Sequence, residues 1–497
     1  MQSVIRPVAE ALARWAAETP DAQALSDAGG ALTYGEFDAH VEAIAAWLGE
    51  QGVAPGERIF VVGENSISLA CLIFAAGRAG ITAVLENARR APNETDMVLA
   101  HCAPKLVIFL FSNSEAAKAH AARHGAKAGE FAPLGEFALL RERHADNAEE
   151  ETGGERAAVI IYTTGTTGKP KGVMLPQRAL DFISSRMGQL RFVTPKDSVY
   201  CVLPITHVMG LASGLSGALA SGARLHLVSR FSAGHCVDYI QQHGVTMLQG
   251  APAMFAKIID HCHAQGIERL EGVRFIGSGG APIDPAIKQE AERLFGVSLH
   301  NGYGLTEGAS IAWTRFEDND RDDTVGRVLP DVEIRIEKKA AEDEVGELWA
   351  RGPNVMTGYF RDPVRTAEVL TKDGWFNTQD LARIAPNGRV YIVGRTKDII
   401  IRSGFNVYPL EVELALSTHP DVLHCAVIGR PVKGNEEVIA FVELAHGARA
   451  TADELKAYLA GRLSPYKRPS EIVIMDSLPT AANGKVLKSA LALPPQA

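Results

Sequence analysis

The run Tyr162-Thr163-Thr164-Gly165-Thr166-Thr167-Gly168-Lys169-Pro170-Lys171-Gly172 packs four threonine hydroxyls, two lysines and three glycines into eleven residues. Amides in a glycine-rich turn converge on phosphate oxygens, hydroxyls add donors and ammonium groups balance charge. A strand over Ala158–Tyr162 feeds directly into the run, so it reads as a phosphate cradle. It is not a Walker A loop, which needs Ser or Thr after Gly-Lys, because Pro170 follows Gly168-Lys169. By itself it could also be a flexible surface turn. Six further glycine-bearing segments follow in order: LPITHVMG (Leu203–Gly210), GSGGAP (Gly277–Pro282), NGYGLTE (Asn301–Glu307), GWFNTQD (Gly374–Asp380), GRTKDIIIRSGFNVYPLEVE (Gly394–Glu413) and PTAANGK (Pro479–Lys485).

These segments need a scaffold, and the hydrophobic pattern supplies an α/β one. From Arg58 to about His300, short β-branched runs alternate with longer helix-period stretches, which predicts βαβ units and parallel sheet. The strands expected are Ile59–Val62, Thr82–Leu85, Leu106–Leu110, Ala158–Tyr162, Ser198–Leu203, Arg224–Val228, Thr246–Gln249 and Arg274–Gly277. The charged, Ala-rich interval Ser112–Gly154 is expected to hold an exposed loop. The Gly, Ala and Ser-rich run Val208–Ala223 suits a buried helix. After Arg315, short strands at turn-rich spacing predict a small β-barrel or meander. From Asp398 onward the pattern is that of a small, separate α+β domain, with strands at Cys425–Ile428 and Ile439–Leu444 and a helix near Thr451–Arg462.

A chain of 497 residues exceeds what one core organises, so two or more domains are expected. The net charge of −9 has the wrong sign for a nucleic acid or an anionic membrane as main partner. No stretch is long and apolar enough to span a bilayer, and the N-terminal helix, stopped at Thr19-Pro20, is no signal peptide. The six cysteines contain no CxxC pair and read as buried thiols in a reducing compartment, the cytoplasm.

In order and spacing the seven segments resemble the adenylate-forming superfamily of acyl- and aryl-CoA synthetases, luciferases and peptide-synthetase adenylation domains. The resemblance runs from Leu32 to Lys485. It implies a large N-terminal AMP-binding domain, residues 1–396, built of βαβ sheets plus a small β-barrel, and a small mobile α+β C-terminal domain, residues 397–497. It also implies a two-step reaction. A carboxylate attacks the α-phosphate of ATP, with Mg²⁺, to give an acyl-adenylate; the thiol of coenzyme A then displaces AMP.

The same resemblance distributes roles. Thr163, Thr164, Gly165, Thr166, Thr167, Gly168 and Lys171 would close over the β- and γ-phosphates. Gly279, Gly280, Ala281 and Pro282 would admit the purine, with Asn301, Gly302 and Gly304 beside it. Tyr303 would stack on adenine, Thr306 would bond the α-phosphate and Glu307 would hold the metal. Asp380 and Arg395 would take the ribose, although Asn377 and Gln379 replace the His and Gly usual in GWFHTGD. Lys485 would bridge the carboxylate and α-phosphate, a positioned cation where two anions meet. Lys397 matches the hinge about which the small domain turns. Ser403, Gly404 and Phe405 would then face the thiol tunnel, and Tyr466, Lys467 and Arg468 could contact coenzyme A.

His207 matches a gating position between acyl pocket and tunnel. Val208, Met209, Gly210, Gln249, Ser278, Gly302, Gly308, Ala309 and Ile311 would line the acyl pocket. Their small and apolar character favours an aromatic or medium-sized apolar monocarboxylate, and the lack of a cation among them disfavours a dicarboxylate. Two other functions fit the segments: a free-standing adenylation enzyme that loads a carrier-protein thiol, and a catalytically silent acyl-nucleotide binding protein. A monomer or homodimer is expected.

Overall fold

The computed structural model describes residues 5, 7–111, 114–141, 155–164, 170–317, 322–338, 343–403, 405–432, 435–445, 447–480 and 486–494, the side chains of Thr164 and Ser489 excepted. Two large sheets dominate. In the first, the strands run in the order Gly358–Tyr359, Pro170–Pro176, Ala157–Thr164, Thr82–Asn87, Arg58–Gly63, Leu106–Leu110, Gly135–Arg141, Lys127–Phe131. Its central four are parallel. Arg58–Gly63, Thr82–Asn87 and Leu106–Leu110 are buried along their whole length, as strands covered on both faces must be.

The second sheet carries Leu299–Tyr303, Phe275–Ser278, Met247–Gly250, Ser198–Cys201 and Arg224–Leu227 side by side and parallel. The eight strands expected from β-branched runs are all present, displaced by two residues or fewer at either end. Their carboxyl ends deliver the glycine-bearing segments to one region, the usual place for a ligand in open α/β sheets.

The described part of the interval Ser112–Gly154 carries regular structure besides the loop expected there. Ser114 caps a helix over Glu115–Arg123, and Lys127–Phe131 with Gly135–Arg141 form a hairpin on the edge of the first sheet. The Ala-rich run gains its helix from that cap, and the alternation in Gly135–Arg141 pairs it with Leu106–Leu110. Residues 142–154 lie outside the described residues.

The small-residue run after His207 is helical and buried, but it opens as a π-helix over Met209–Ser216 before a short α-helical turn at Gly217–Ala220. Wide turns of this kind cluster at functional sites. Gly210 is needed there, because a Cβ would stand 2.2 Å from the Pro204 carbonyl oxygen.

The short strands after Arg315 pair as an antiparallel meander in the order Glu333–Glu337, Gly346–Arg351, Phe376–Ile384, Val390–Arg395. Beyond it, Val422–Val432 and Asn435–Leu444 form a hairpin with Glu471–Met475 alongside. Helices Pro409–Ser417 and Ala452–Ala460 supply Val412, Leu416, Leu455 and Leu459 to a core centred on Val427 and Ala440. This core is separate from that of the large sheets. Five cysteines are buried and Cys425 is half-buried, all as free thiols. No helix of the described residues is long and apolar enough to cross a membrane.

Candidate active site

The phosphate-cradle segment is a hairpin. Ala157–Thr164 pairs antiparallel with Pro170–Pro176, and Thr163 faces Lys171. Gly165, Thr166, Thr167 and Gly168 lie outside the described residues, as do Gly404, Lys485 and the side chain of Thr164. Thr163 keeps a buried hydroxyl without a partner among the described residues.

Lys171 reaches across the site. Its Nζ donates to Glu307 Oε1 at 3.3 Å and to the Tyr359 hydroxyl at 3.1 Å, and that hydroxyl donates to Glu307 Oε1 at 2.9 Å. Glu307 is buried, so these two donors keep its carboxylate from being left unpaired out of water. Tyr359 is delivered by the short strand Gly358–Tyr359, which pairs with Pro170–Pro176. Burial, then the Glu307 charge, push its hydroxyl pKa up, so it remains a donor.

A second cluster forms where the meander meets the end of Leu299–Tyr303. Asp380 and Arg395 are direct cross-strand partners, with Arg395 Nε 2.9 Å from Asp380 Oδ1. The Tyr303 hydroxyl donates to Asp380 Oδ2 at 2.5 Å. Burial works against the Arg395 charge, but Asp380 together with Tyr303, Asp398 and Glu307 outweighs it and the guanidinium is raised above its ordinary value. For Tyr303, burial and then Asp380 push the phenol well up. The departures at Asn377 and Gln379 compensate each other. Gln379 takes φ 60°, the left-handed conformation that glycine adopts freely, and its N–H donates to Asn377 Oδ1 at 2.8 Å. Asn377 is anchored in turn on Glu347 at 2.9 Å. The Thr378 hydroxyl accepts the Asp380 N–H at 3.1 Å, and Asp380 keeps its place.

Gly279–Pro282 follow directly on Phe275–Ser278, and Met209 lies over Gly279. Gly302 is fixed by sterics, since a Cβ would fall 2.0 Å from the Trp313 ring. Asn301 uses its amide inward, donating to the Thr324 carbonyl at 3.1 Å and accepting from the Gly302 N–H at 3.1 Å. It shapes the strand end on which Tyr303 sits. Gly304, Thr306 and Gly308 occupy the turn between Tyr303 and the buried Ile311, with Ala309 at φ 48°.

His207 stands at the mouth of the π-helix, its N–H bonded to the Pro204 carbonyl at 3.0 Å. Burial, then Arg90 and Arg89, push its pKa down to about 4, so the imidazole is neutral at pH 7. A pocket lies between the π-helix and the second sheet, bordered by Leu203, Ser213, Gly214, Met247, Gln249, Phe275 and Arg191. Gln249 Nε2, at this border, and Ser278 Oγ, at the end of Phe275–Ser278, are buried without partners among the described residues. Arg191 supplies the cation that the sequence-derived pocket residues lack. Burial pushes it down to about 9, so it stays charged at neutral pH.

Lys397 lies in a short 3₁₀ turn over Thr396–Asp398 that follows Arg395. Burial, then Arg395, lower its pKa, and Lys171 contributes, which puts this lysine within the field of the phosphate-cradle cation. Phe405 stacks on Tyr466 at 4.7 Å, and Ser403, at φ 52°, is tied by its N–H to Asn435 Oδ1. Lys467 pairs with Glu411 at 2.5 Å, and Arg468 donates to the Leu463 and Ala460 carbonyls. Those two cations therefore have partners inside the chain.

Sequence reasoning missed Tyr359, Arg191, Trp313 and Thr378. Thr378 lies inside GWFNTQD and was open to discovery as a local hydroxyl beside Asp380. The other three carry no local signature.

A family model described as AMP-binding enzyme matches residues 12–360, and one described as AMP-binding enzyme C-terminal domain matches residues 411–485. A feruloyl-CoA synthase from an Amycolatopsis species is 33% identical over 487 residues, 96% of each chain. An indoleacetate–CoA ligase from Aromatoleum aromaticum is 33% identical, over 92% of each. Among solved structures, ATP-bound MatB from Rhodopseudomonas palustris matches with a TM-score of 0.82 at 29% identity, over 97% of each chain. The o-succinylbenzoate CoA synthetase of Bacillus subtilis, in complex with its acyl-adenylate intermediate OSB-AMP, matches with a TM-score of 0.82 at 27% identity, over 99% of each.

Proposed function

The chain belongs to the family of AMP-binding enzymes and is an AMP-forming acyl-CoA synthetase, and from that premise we propose that it converts an aromatic or medium-sized ring-bearing carboxylic acid to its coenzyme A thioester. The observation that carries this reading is the buried Asp380 carboxylate between Tyr303 and Arg395, close to the paired Lys171 and Glu307. A carboxylate accepts from both ribose hydroxyls, a role Asp380 can take by exchanging its Tyr303 bond. The freed Tyr303 ring then serves the purine beside Gly279–Pro282.

Lys171 and the threonines of the hairpin neutralise and hold the β- and γ-phosphates. Glu307, one hard carboxylate on which a cation and a phenol converge, fits Mg²⁺, which keeps water and phosphate oxygens as its other ligands and would offset polyphosphate charge there. Lys485 bridges the incoming carboxylate and the α-phosphate. His207 packs at the junction of pocket and tunnel as the neutral imidazole, with no positive charge at pH 7. Lys397 is the pivot about which residues 397–497 rotate, withdrawing Lys485 and presenting Ser403–Phe405 for thiol attack.

Several relatives are ligases of aryl acids by name, and the apolar border of the cavity supports the same class here. The test is AMP release across benzoates, cinnamates, aryl-acetates and fatty acids, with and without coenzyme A. Release that requires coenzyme A and is fastest with a ring-bearing acid is expected. Fastest release with straight-chain fatty acids overturns the substrate class, release only with a phosphopantetheinyl carrier protein overturns the acceptor, and no pyrophosphate with any acid leaves a silent binding protein.

A further inference from the structure

The pocket under the π-helix is lined by two buried side chains that each keep a donor unanswered among the described residues, Arg191 at Nε and Gln249 at Nε2. Arg191 follows helix Gln177–Leu190 as its C-terminal cap and is 4% exposed. Its Nη1 donates to the Ser213 carbonyl at 3.0 Å, and its Nη2 has only the Met187 sulfur, a weak acceptor, at 3.4 Å. Its Nε has no partner. The guanidinium lies over the Trp313 and Phe275 rings, 4.7 and 5.5 Å from their centroids. No carboxylate among the described residues pairs with it. Asp197, on the same segment, is already held by Arg274 at 2.7 Å and Thr246 at 2.8 Å. A cation withdrawn from water without a counterion is strongly disfavoured, and aromatic faces offset only part of that cost.

Gln249 is the second donor. It is 8% exposed, borders the same cavity and leaves Nε2 unpartnered. Strand register sets its depth. Met247 faces Phe275, Gln249 faces Gly277 and Gly250 faces Ser278, directly before Gly279. Arg191 touches the ring of Phe275, four residues back from Gly279. At roughly 3.3 Å per residue that lies on the order of 10 Å below the nucleotide edge, about the length of a substituted aryl acid.

We infer that the acyl pocket ends in an acceptor-binding subsite, where Arg191 and Gln249 donate to an oxygen group, by preference a carboxylate, at the end of the acid remote from the reacting carboxyl. The inference rests on the ligase reading above and narrows its substrate: apolar in the middle, oxygenated at the far end. It reverses the expectation against a second carboxylate, which considered only residues near the motifs. A carboxylate is preferred because it both neutralises the guanidinium in a low-dielectric site and can accept from two of its N–H groups, while the amide of Gln249 supplies a further donor.

Three acids of matched length separate the possibilities: 4-carboxycinnamate, 4-acetylcinnamate and 4-isopropylcinnamate, scored by coenzyme A-dependent AMP release. Wild-type kcat/KM is expected to be at least about tenfold higher for 4-carboxycinnamate than for the isopropyl acid, the discrimination a site built around a polar contact imposes. The acetyl acid falls between them, and an acetyl acid that equals the carboxylate identifies the subsite as one for a neutral carbonyl oxygen, overturning the preference for charge. In Arg191→Met the carboxy-to-isopropyl ratio is expected to fall to one or below while the melting temperature rises, because a buried unpaired charge has been removed. A merely structural arginine would instead lower the melting temperature and leave the ratio intact, which overturns the inference. Should Arg191→Met not fold, Gln249→Leu carries the same test, with an expected fall in the ratio of about threefold. Wild-type turnover of all three acids at equal rates sinks the subsite and leaves the ligase reading standing; turnover of none of them, with activity on fatty acids, removes both.

Discussion

The nucleotide end and the acyl end of this site treat their polar groups in opposite ways. At the proposed nucleotide end, Glu307, Lys171, Asp380, Arg395, Tyr303 and Tyr359 answer one another within hydrogen-bond distance, although the Thr163 hydroxyl beside them is buried without a partner among the described residues. At the acyl end, Arg191, Gln249 and Ser278 are buried with donors or a hydroxyl unused. A ligand common to the whole family can be met by a network already assembled, with one partner exchanged for another on binding. A ligand particular to one enzyme is met by groups left waiting. The reaction class is therefore written in the paired residues, and the choice of acid in the unpaired ones.

The largest expected effect breaks the nucleotide end. Lys485→Ala should reduce acyl-adenylate formation by on the order of a thousandfold, the scale of losing a positioned charge in the transition state, while presynthesised acyl-AMP is still converted to thioester. Lys397→Pro should do the reverse, since proline fixes φ and resists the rotation. Pyrophosphate exchange and single-turnover thioester assays check the pair; equal loss in both assays for either variant contradicts the roles given.

Acid should destabilise the protein through its buried neutral histidines, His300 among them. His300, stacked on Phe275 at 5.3 Å, is pushed down to about 4, chiefly by burial, with a hydrogen bond to the Thr314 backbone opposing and Arg191 adding to the fall. Its folded pKa lies below its unfolded value near 6.5, so the unfolded chain binds the extra proton between those limits. The contribution to stability is therefore complete above about pH 6.5 and is lost as pH falls toward 4, at most on the order of 3 kcal/mol. Denaturant midpoints of wild type and His300→Gln across that window should converge as the pH drops.

Smaller again is Tyr359→Phe. It takes one hydroxyl from the Glu307–Lys171 pair and should weaken adenylation about tenfold, of order 1 kcal/mol, through the KM for ATP and not that for the acid. A matching rise in both KM values would place Tyr359 elsewhere in the mechanism. Smallest is Gln379→Gly, which relieves a left-handed φ of 60°. The gain, at most about 1 kcal/mol after the entropy of the new glycine is counted, should appear as a slightly higher melting temperature with kcat preserved.

Much of the fold was legible because it is local. Strands such as Leu106–Leu110 show themselves as apolar β-branched runs, and the glycine-bearing segments sit where those strands end. Within Ser112–Gly154 the charge and alanine content gave no sign of the helix that the Ser114 cap starts, although that signal is local too. Asp380 and Glu307 could be singled out because their motifs surround them in sequence. Tyr359 could not, since it meets Lys171 across 188 positions through pairing of Gly358–Tyr359 with the cradle hairpin.

By itself, the sequence determined the alternation of strands and helices, the ordered motifs and, through them, a carboxylate-activating ATP chemistry. Contiguous residues can announce a turn, a cap or a phosphate cradle because those depend on neighbours along the chain. Only the tertiary structure decided that Asp380 lies against both Tyr303 and Arg395, that Gln379 can stand where glycine is usual, and that Arg191 shares a pocket with Gln249. Those outcomes depend on strand register and on which charges remain unpaired after burial, and a linear sequence carries neither until the sheets have closed.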